Sequence, residues 1–514
     1  ELKFFKMRNI YITTPIYYVN DNPHIGHAYT SIVCDVLSRY YKMTKNTSVK
    51  FLTGTDEHGQ KVENAAKIND KKPQEFVDLV SKNFKNLTEI LNISNSDFIR
   101  TTELRHKKTV KLVWNKLVER KQIYLGKYEG WYSIKDEAFY QEKELIKVDG
   151  KFQTQDGTKV EWLKEESYFF KLSNWQNKLL EFYDKNINFI KPSSRRNEVI
   201  SFVKNGLRDL SVSRTSFNWG IKVPNHSSHV IYVWIDALTN YLSAINYPES
   251  FENEDYWRNS IHIIGKDILK FHAIYWPAIL MAADLTPPKQ IFAHGWWTNE
   301  GKKISKSLNN SIDPLRLIDK YGLDQLRYFL LREVTLGQDG DFSEKSFIKR
   351  INSDLANNLG NLIQRTLKLL EKHFDNIIPL KISELKNVKI LLDTYKLVTT
   401  VQPKIENFEY NKALESIFSH IDQLNQFIDN EKPWESIKKN DLSKASETLS
   451  TLIECFRVIA VILIPFIPDS AKKILDTLNV DYANINFDKL NIKFCIKKGE
   501  KINKVEKLFP RYDE

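Results

Sequence analysis

Two short strings bring together side chains suited to handling phosphate. His24-Ile25-Gly26-His27 stands between a β-prone run, Asn9 to Tyr18, and an amphipathic helical pattern from about His27 to Tyr41. Gly26 has no Cβ, so backbone there can approach a nucleotide closely. A helix N-terminus offers unpaired N–H groups and positive potential to phosphates. Imidazoles donate hydrogen bonds to phosphoryl oxygens. The second string, Lys303-Ile304-Ser305-Lys306-Ser307, lies in the Gly/Asn-containing loop Asn299 to Asn310. Two ammonium groups on such a loop clamp a triphosphate and neutralise the charge that develops as pyrophosphate leaves. Positioning and electrostatics are most of what a displacement at phosphorus needs. Alone, each string arises easily in a Lys-rich chain. Their order, at a strand–helix junction and in a late loop, makes them a pair.

The elements that must position them are legible. Ile10, Tyr11 and Ile12 head a strand that ends at Thr13-Thr14-Pro15, and a loop with Asn20, Asp21, Asn22 and Pro23 follows. After the helix comes another apolar run, Val49 to Thr53, that stops at Gly54. Strand, loop, helix, strand is the start of a βαβ unit and a parallel sheet. Helical patterns fill Pro73 to Leu91 and Glu103 to Arg120. From Gly126 to about Asp209 the chain changes to short aromatic strand-like pieces, cut by turn signals at Asp149-Gly150 and Asp156-Gly157. Strand patterns return at Val230 to Ile235, Ile261 to Ile264 and Gln290 to Ala293. From Ser343 the reading is almost purely helical: Ser346 to Phe374, Asn387 to Asn407, Asn411 to Glu431 and Asp441 to Ile464. An α/β half with an inserted subdomain thus precedes an α-helical half.

Composition narrows the classes. A chain of 514 residues has room for two to four domains. Its most apolar run, Val458 to Ile467, is too short to span a membrane and contains Pro465. No apolar h-region marks a secretory signal. A net charge of +11 suits a polyanionic partner such as nucleic acid. Three cysteines far apart in sequence (Cys34, Cys455, Cys495) argue against a disulfide framework and for a reducing compartment, so a cytoplasmic location is expected.

The two strings resemble the "HIGH" and "KMSKS" signatures of class I aminoacyl-tRNA synthetases. The likeness extends through Thr13-Thr14-Pro15-Ile16-Tyr17-Tyr18-Val19-Asn20, Gly54-Thr55-Asp56-Glu57-His58-Gly59, Tyr232-Val233-Trp234-Ile235-Asp236-Ala237, Gly265-Lys266-Asp267-Ile268 with Phe271-His272, and His294-Gly295-Trp296. These look like the methionyl-tRNA synthetase family over essentially the whole chain. The resemblance implies an α/β fold: a Rossmann-type parallel-sheet catalytic domain with a connective insertion, then an α-helical anticodon-binding bundle. The implied boundaries are 1–125 and 210–298 for the catalytic halves, 126–209 for the insertion, 299–345 for the junction bearing the second signature, and 346–514 for the bundle.

It also implies roles. His24, His27, Lys303 and Lys306 are the expected catalytic groups. His24, Gly26, His27, Gly265, Asp267, Lys303, Ser305 and Lys306 are expected around ATP, which enters with Mg2+. Ile16, Tyr18, Asp56, Trp234, Ala237, Leu238, Tyr241, Ile268, His272 and Trp276 are expected around L-methionine. A thioether pairs well with aromatic rings, and Asp56 is the natural partner for the ammonium group. The Tyr241 hydroxyl and the Ile16 backbone N–H are expected to meet the sulfur. Asn361, Arg365 and Trp434 resemble the family's anticodon readers, with elongator and initiator tRNA(Met) as the implied partners. Asn361 and Arg365 are four apart and so share a helix face.

Departures from the family carry expectations of their own. Many members hold zinc with Cys-x-x-Cys knuckles in the insertion. Here Ser133 and Asp136 stand where such a pair belongs, so no structural zinc is expected. The insertion must then hold its shape by aromatic packing, with Trp131, Tyr132, Phe139 and Tyr140 as candidates. Ile304 replaces the usual Met of the second signature. With no further module after Phe509-Pro510-Arg511, a monomer is expected. The insertion is too small for the editing domain of the isoleucine, valine and leucine enzymes, and a cysteine-specific enzyme would want thiolate zinc ligands. A catalytically dead tRNA-binding paralogue is the reading from another class, and the intact His24, His27, Lys303 and Lys306 argue against it.

Overall fold

A computed structural model describes residues 7–19, 23–304, 311–385, 388–504 and 506–513. The loop expected at Asn20 to Asn22, together with Ser305 and Lys306, lies outside them. The chain forms two compact units: Lys50–His294 with Asn9–Pro23, and Gly295 onward with His24–Val49.

The first unit is built on a seven-stranded sheet. Strand order across it is Ile190–Lys191, Gln290–His294, Ser260–Gly265, Arg8–Thr13, Thr47–Asp56 and Tyr17–Tyr18, with Asp97–Arg100 also on Thr47–Asp56. Arg8–Thr13 pairs with Ser260–Gly265 in parallel, as does Ser260–Gly265 with Gln290–His294. Leu52, Ile263, Ile264 and Ile291 are buried in the runs that the sequence marks as apolar, as expected of parallel strands covered on both faces. The consequence for function is that Thr13, Asp56, Gly265 and His294 all stand at carboxyl ends of strands. That is the edge where open α/β sheets bind ligands.

The insertion rises from this sheet as a long antiparallel pair, Ile123–Ser133 against Glu161–Phe170, in register from Ile123↔Phe170 to Tyr132↔Glu161. Asp149 and Gly150, at φ 49° and 80°, turn the hairpin Leu145–Val148/Lys151–Thr154, the left-handed pair that a two-residue loop demands. Trp131 packs against Phe152 and edge-on against Trp162 at 5.1 Å, and Tyr132 against Phe139 at 5.0 Å. Ser133 and Asp136 close a hydrogen-bonded turn: Asp136 N–H donates to Ser133 Oγ (3.1 Å), and Ser133 Oγ and Tyr140 OH donate to Asp136 Oδ2. Beyond the strands the stretch also holds two helices that the aromatic pattern masks, Gln176–Lys185 and Ser193–Lys204.

One expected strand is half helix. Val230 to Ile235 reads as a single apolar run, yet the strand His226–Ile231 ends there and Val233–Leu238 is helical. Every residue from Val230 to Leu238 except Trp234 is buried, so burial gives no periodicity by which to tell the two.

In the second unit the 18-residue helix Ile25–Lys42 is buried along most of its length. Its fully buried Asp35 pairs with Arg39 at 2.7 Å and with Arg327 at 2.8 Å. Arg327 donates onward to the carbonyls of Phe466 and Pro465, so the two buried charges are paired rather than stranded, with Arg327 Nη1 left unbonded. Tyr410 OH donates to Val33 O, and Tyr40 OH to Glu406, tying the helix to Tyr410–Glu431 and Lys389–Glu406. Leu442–Leu463 is the buried centre of the helical half.

Candidate active site

The sheet's carboxyl edge carries a cluster of buried acids, Asp56, Glu57, Glu137 and Asp236. Asp56 ends its strand and is buried, and its Oδ1 has no hydrogen-bond partner. Burial, then Asp236 and Glu137, push its pKa well above the usual carboxylate range. An unpaired buried acid of this kind lacks a cation. A primary ammonium group supplies both the charge and the donors.

The same unit gathers aromatic side chains. Leu238, Tyr241 and Trp276 sit in one buried cluster, with Ile16, Tyr18, Trp234 and Ile268 packed against it. Ala237 is buried on the same short helix as Leu238. Trp234 stacks on Phe271 at 3.8 Å, with ring planes 6° apart. Tyr241 stacks on His262 at 4.0 Å. The indole Nε1 atoms of Trp234 and Trp276 are buried without partners. A π-helical turn, Phe271–Tyr275, sets the position of His272; such turns are frequent at functional sites.

His272 decides what Tyr241 can offer. Its Nδ1 lies 3.0 Å from the Ile268 carbonyl, which only accepts, so the proton is on Nδ1. Burial holds its pKa down to about 4, so the ring is neutral and Nε2 accepts. The Tyr241 hydroxyl, 2.8 Å from Nε2, therefore donates to His272. The sulfur-directed donor expected of Tyr241 is in this state pointed at the imidazole, and the hydroxyl presents lone pairs elsewhere.

Several side chains here escape a sequence reading. Asp236 is clasped by His58 Nδ1 and His106 Nε2, each at 2.7 Å. Burial raises its pKa, but the two imidazoles outweigh that and hold it down to about 2. Glu137, from the insertion, accepts from Tyr18 OH (2.8 Å), Tyr132 OH (2.7 Å) and Lys61 N–H (3.1 Å). A Cβ on Gly59, whose φ is +108°, would lie 2.6 Å from Tyr18 OH and 2.8 Å from Glu137 Oε1, so glycine is required there. Asp236 stands out as a polar residue in an apolar string, whereas His58 sits among other polar residues. Nothing local marks Glu137.

The second unit holds His24–His27 and Lys303. His24 caps the helix Ile25–Lys42: its Nδ1 accepts from Gly26 N–H at 3.0 Å, while His27 Nδ1 accepts from His24 N–H at 3.1 Å. Both Nδ1 atoms thus accept, which puts the proton of each neutral ring on Nε2, a donor suited to a phosphoryl oxygen. Burial and the His24 ring, 4.0 Å away, keep His27 neutral by lowering its pKa well below the ordinary value. A Cβ at Gly26 would sit 2.8 Å from His24 Cε1.

Lys303 ends a hairpin, Trp297–Asn299 with Lys302–Lys303, where the sequence reads as a loop. Glu300 and Gly301 turn it at φ 49° and 73°. Asp341 Oδ1 accepts from Thr298 Oγ1 and Gly301 N–H at 2.6 and 2.8 Å, so the turn of this hairpin is anchored. In the other unit, Gly265 and Asp267 follow the strand Ser260–Gly265, and a Cβ on Gly265 would lie 2.5 Å from Asp267 Oδ1.

In the helical half Asn361 and Arg365 share the helix Asn361–Phe374. Asn361 is exposed, and Arg365 donates to Asp429 Oδ1 at 2.8 Å and Asn425 Oδ1 at 3.1 Å. The helix Tyr410–Glu431 ends at left-handed Lys432, and Pro433 opens the next turn with a half-buried Trp434.

Residues 10–367 match the family model "tRNA synthetases class I (M)", and residues 383–514 match "Anticodon binding domain of methionyl tRNA ligase". The methionine–tRNA ligase of Rickettsia felis is 54% identical over 513 residues, covering 99% of both chains. That of Rhizobium meliloti is 46% identical over 506 residues, covering 98% of each. The Mycobacterium tuberculosis methionyl-tRNA synthetase in complex with methionyl-adenylate is 42% identical, with a TM-score of 0.94 over 98% of this chain and all of that one. The free-state form of that enzyme matches with a TM-score of 0.87.

Proposed function

Because this chain belongs to the methionyl-tRNA synthetase family of class I, we infer that it activates L-methionine with ATP and charges tRNA with it. The methionine carboxylate attacks the α-phosphorus of Mg-bound ATP, forming the mixed anhydride and releasing pyrophosphate. The 2′-hydroxyl of the terminal adenosine of tRNA(Met), elongator or initiator, then attacks the methionyl carbonyl, and AMP leaves.

The observation that carries the amino-acid assignment is Asp56, a buried carboxylate with an unpaired oxygen. Its unit also gathers aromatic and apolar side chains whose chemistry suits a thioether: Trp234, Tyr241 and Trp276, with Ile16, Tyr18, Ala237, Leu238, Ile268 and His272. His24 and His27 donate Nε2–H to phosphoryl oxygens, and the helix N-terminus at Gly26 supports the same charge. Lys303, Ser305 and Lys306 neutralise the departing pyrophosphate, and Asp267 beside Gly265 accepts from ribose hydroxyls. Asn361 and Arg365 read base edges, and Trp434 stacks on an unpaired anticodon base.

The insertion (126–209) keeps its shape without a thiolate zinc, since Ser133 and Asp136 already satisfy each other by hydrogen bonds. The protein works as a cytoplasmic monomer, the substrate pocket and the anticodon readers lying on one chain. Among the described residues no helix is long and apolar enough to cross a membrane. The decisive measurement is ATP–pyrophosphate exchange against all twenty amino acids. Exchange driven by methionine and lost in Asp56→Asn is the expected result; exchange driven equally by isoleucine or leucine overturns the pocket assignment.

A further inference from the structure

Away from the adenylation machinery, three metal-competent side chains converge where two strands meet. Glu166 is on the strand Glu161–Phe170, and His226 and His229 are on His226–Ile231. One ligand atom from each lies within 4.8 Å of the others. On a regular strand, residues three apart point to opposite faces. Here the pairing with Lys222–Val223 shifts register, Lys222 opposing Val230 and Val223 opposing His226. The two imidazoles come together instead, ring centres 4.3 Å apart.

Each imidazole is also oriented from behind. His226 Nδ1 is 2.8 Å from Tyr168 OH, and His229 Nδ1 is 2.9 Å from Ser213 Oγ. The Tyr168 ring braces both edge-on, at 5.6 and 5.2 Å. A hydroxyl that accepts from Nδ1–H leaves Nε2 with its lone pair outward, which is how ligating histidines are held. The front of His229 is already engaged: its Nε2 lies 3.1 Å from Glu166 Oε1.

We propose that Glu166, His226 and His229 form a binding site for a divalent transition metal of the Zn2+ class, with water completing the coordination. Two imidazoles and one carboxylate form a ligand set that zinc takes when a position stays open, and imidazole disfavours Mg2+ and Ca2+. Bonds of about 2.0–2.2 Å bring ligand atoms to roughly 3.4 Å apart in a tetrahedron. The Glu166–His229 pair is near that spacing, so His226 has the largest movement to make. In the metal-free state Glu166 Oε1 accepts from His229 Nε2–H. On binding, Nε2 gives up that proton, Nδ1 takes one, and the Ser213 hydroxyl turns from donor to acceptor, with no net change in protonation.

The ion ties the insertion's long strand to His226–Ile231, which runs through Tyr232 into the helix bearing Trp234 and Asp236. The site is open and exchangeable: the Glu166 side chain is 51% exposed, whereas that of His229 is 1% exposed. It differs from a closed thiolate knuckle and is compatible with a fold that forms without metal.

The test uses the full-length protein stripped with a chelator. Zn2+ is titrated in competition with a chromophoric chelator, and Co2+ is added in parallel for its visible absorption. The expected result is one tight equivalent in the wild type. In His226→Ala and Glu166→Gln that site weakens by about a hundredfold or more, the Co2+ band disappears, and methionine-dependent exchange with Mg2+ is unchanged. Both residues reach the surface, so these variants avoid emptying the buried position of His229. Equal Zn2+ affinity in the wild type and both variants would assign the metal to other histidines and overturn the proposal. So would the lack of a tight equivalent in the wild type.

Discussion

The proposed amino-acid pocket and the proposed anticodon-reading face are built in opposite ways. Around Asp56 the groups are buried, the carboxylate has an unpaired oxygen, and two indole N–H groups are unsatisfied. Around Arg365 the polar groups are partly wet and largely paired: both Nη atoms of the guanidinium are bonded, to Asp429 and Asn425, and only its Nε is buried without a partner. A dry site stores its specificity as unsatisfied groups that only the right substrate completes. A wet site exchanges weak contacts for slightly better ones, and gains discrimination by stacking and edge geometry. Single substitutions should therefore be severe in the first region and graded in the second.

The largest effect is expected at Asp56. Truncating one partner of a buried charged pair costs about 2–5 kcal/mol, so Asp56→Asn should lower kcat/KM for methionine by about 10³-fold in pyrophosphate exchange, with the KM for ATP little changed. The same substitution should raise, or at least preserve, the thermal stability of the substrate-free protein. The folded-state pKa of Asp56 lies above its unfolded value, so its neutral form is the one that favours folding. That contribution is present at low pH and lost as pH rises through the elevated pKa. Methionine binding should strengthen over the same rise, as the carboxylate becomes charged. A substrate-free Asp56→Asn protein that melts well below the wild type would show that Asp56 is structurally paired instead.

Next comes the charge on the second signature. Lys306→Ala should reduce adenylation about 10²-fold, typical of losing one preorganised electrostatic group, and the loss should fall on kcat because charge moves toward the leaving pyrophosphate. A near-normal exchange rate removes the loop from the mechanism. On the wet side, Trp434→Ala should cut tRNA charging about tenfold to a hundredfold, the value of one base stack. Exchange without tRNA should be intact. Loss of both activities together would make Trp434 a core residue, and retention of both would place anticodon reading elsewhere in the bundle.

How far each region is legible in sequence follows from the same contrast. His24 and His27 are readable because cap, glycine and helix are consecutive, and the observed cap forms within those four residues. The helices of the second half keep the expected limits to within a few residues, since amphipathic periodicity is a local signal. What is missed is non-local. The clasp of Asp236 joins His58 and His106 across 178 and 130 residues. Glu137 reaches Tyr18 across 119 residues. The hairpin at Lys303 depends on Gly340–Phe342, which pairs in parallel with Trp297–Asn299. The helix Val233–Leu238 is hidden because every side chain but one is buried. The gathering of Trp234, Tyr241 and Trp276 in one cluster is expected mainly from the family resemblance. The unpaired Asp56 oxygen and the direction of the Tyr241 proton required coordinates.

The smallest effect, and the finest test of the contrast, is expected at Arg365. Its side chain and that of Asp429 are 29% and 58% exposed, and an exposed pair of this kind contributes about 0–1 kcal/mol. Breaking it should barely move the melting temperature, so Arg365→Lys and Arg365→Ala should both fold as well as the wild type. If the guanidinium only attracts phosphate, Lys keeps the charge and charging is retained. If it reads a base edge, the planar fork matters and Lys cannot replace it. The expected result is a loss of a few-fold in charging by Arg365→Lys and about tenfold by Arg365→Ala, with methionine activation equal in all three. The Lys variant should also lose discrimination against a tRNA with an altered anticodon. Wild-type charging and wild-type discrimination in Arg365→Lys would reduce Arg365 to a sequence-blind charge and leave base reading to Asn361 and Trp434.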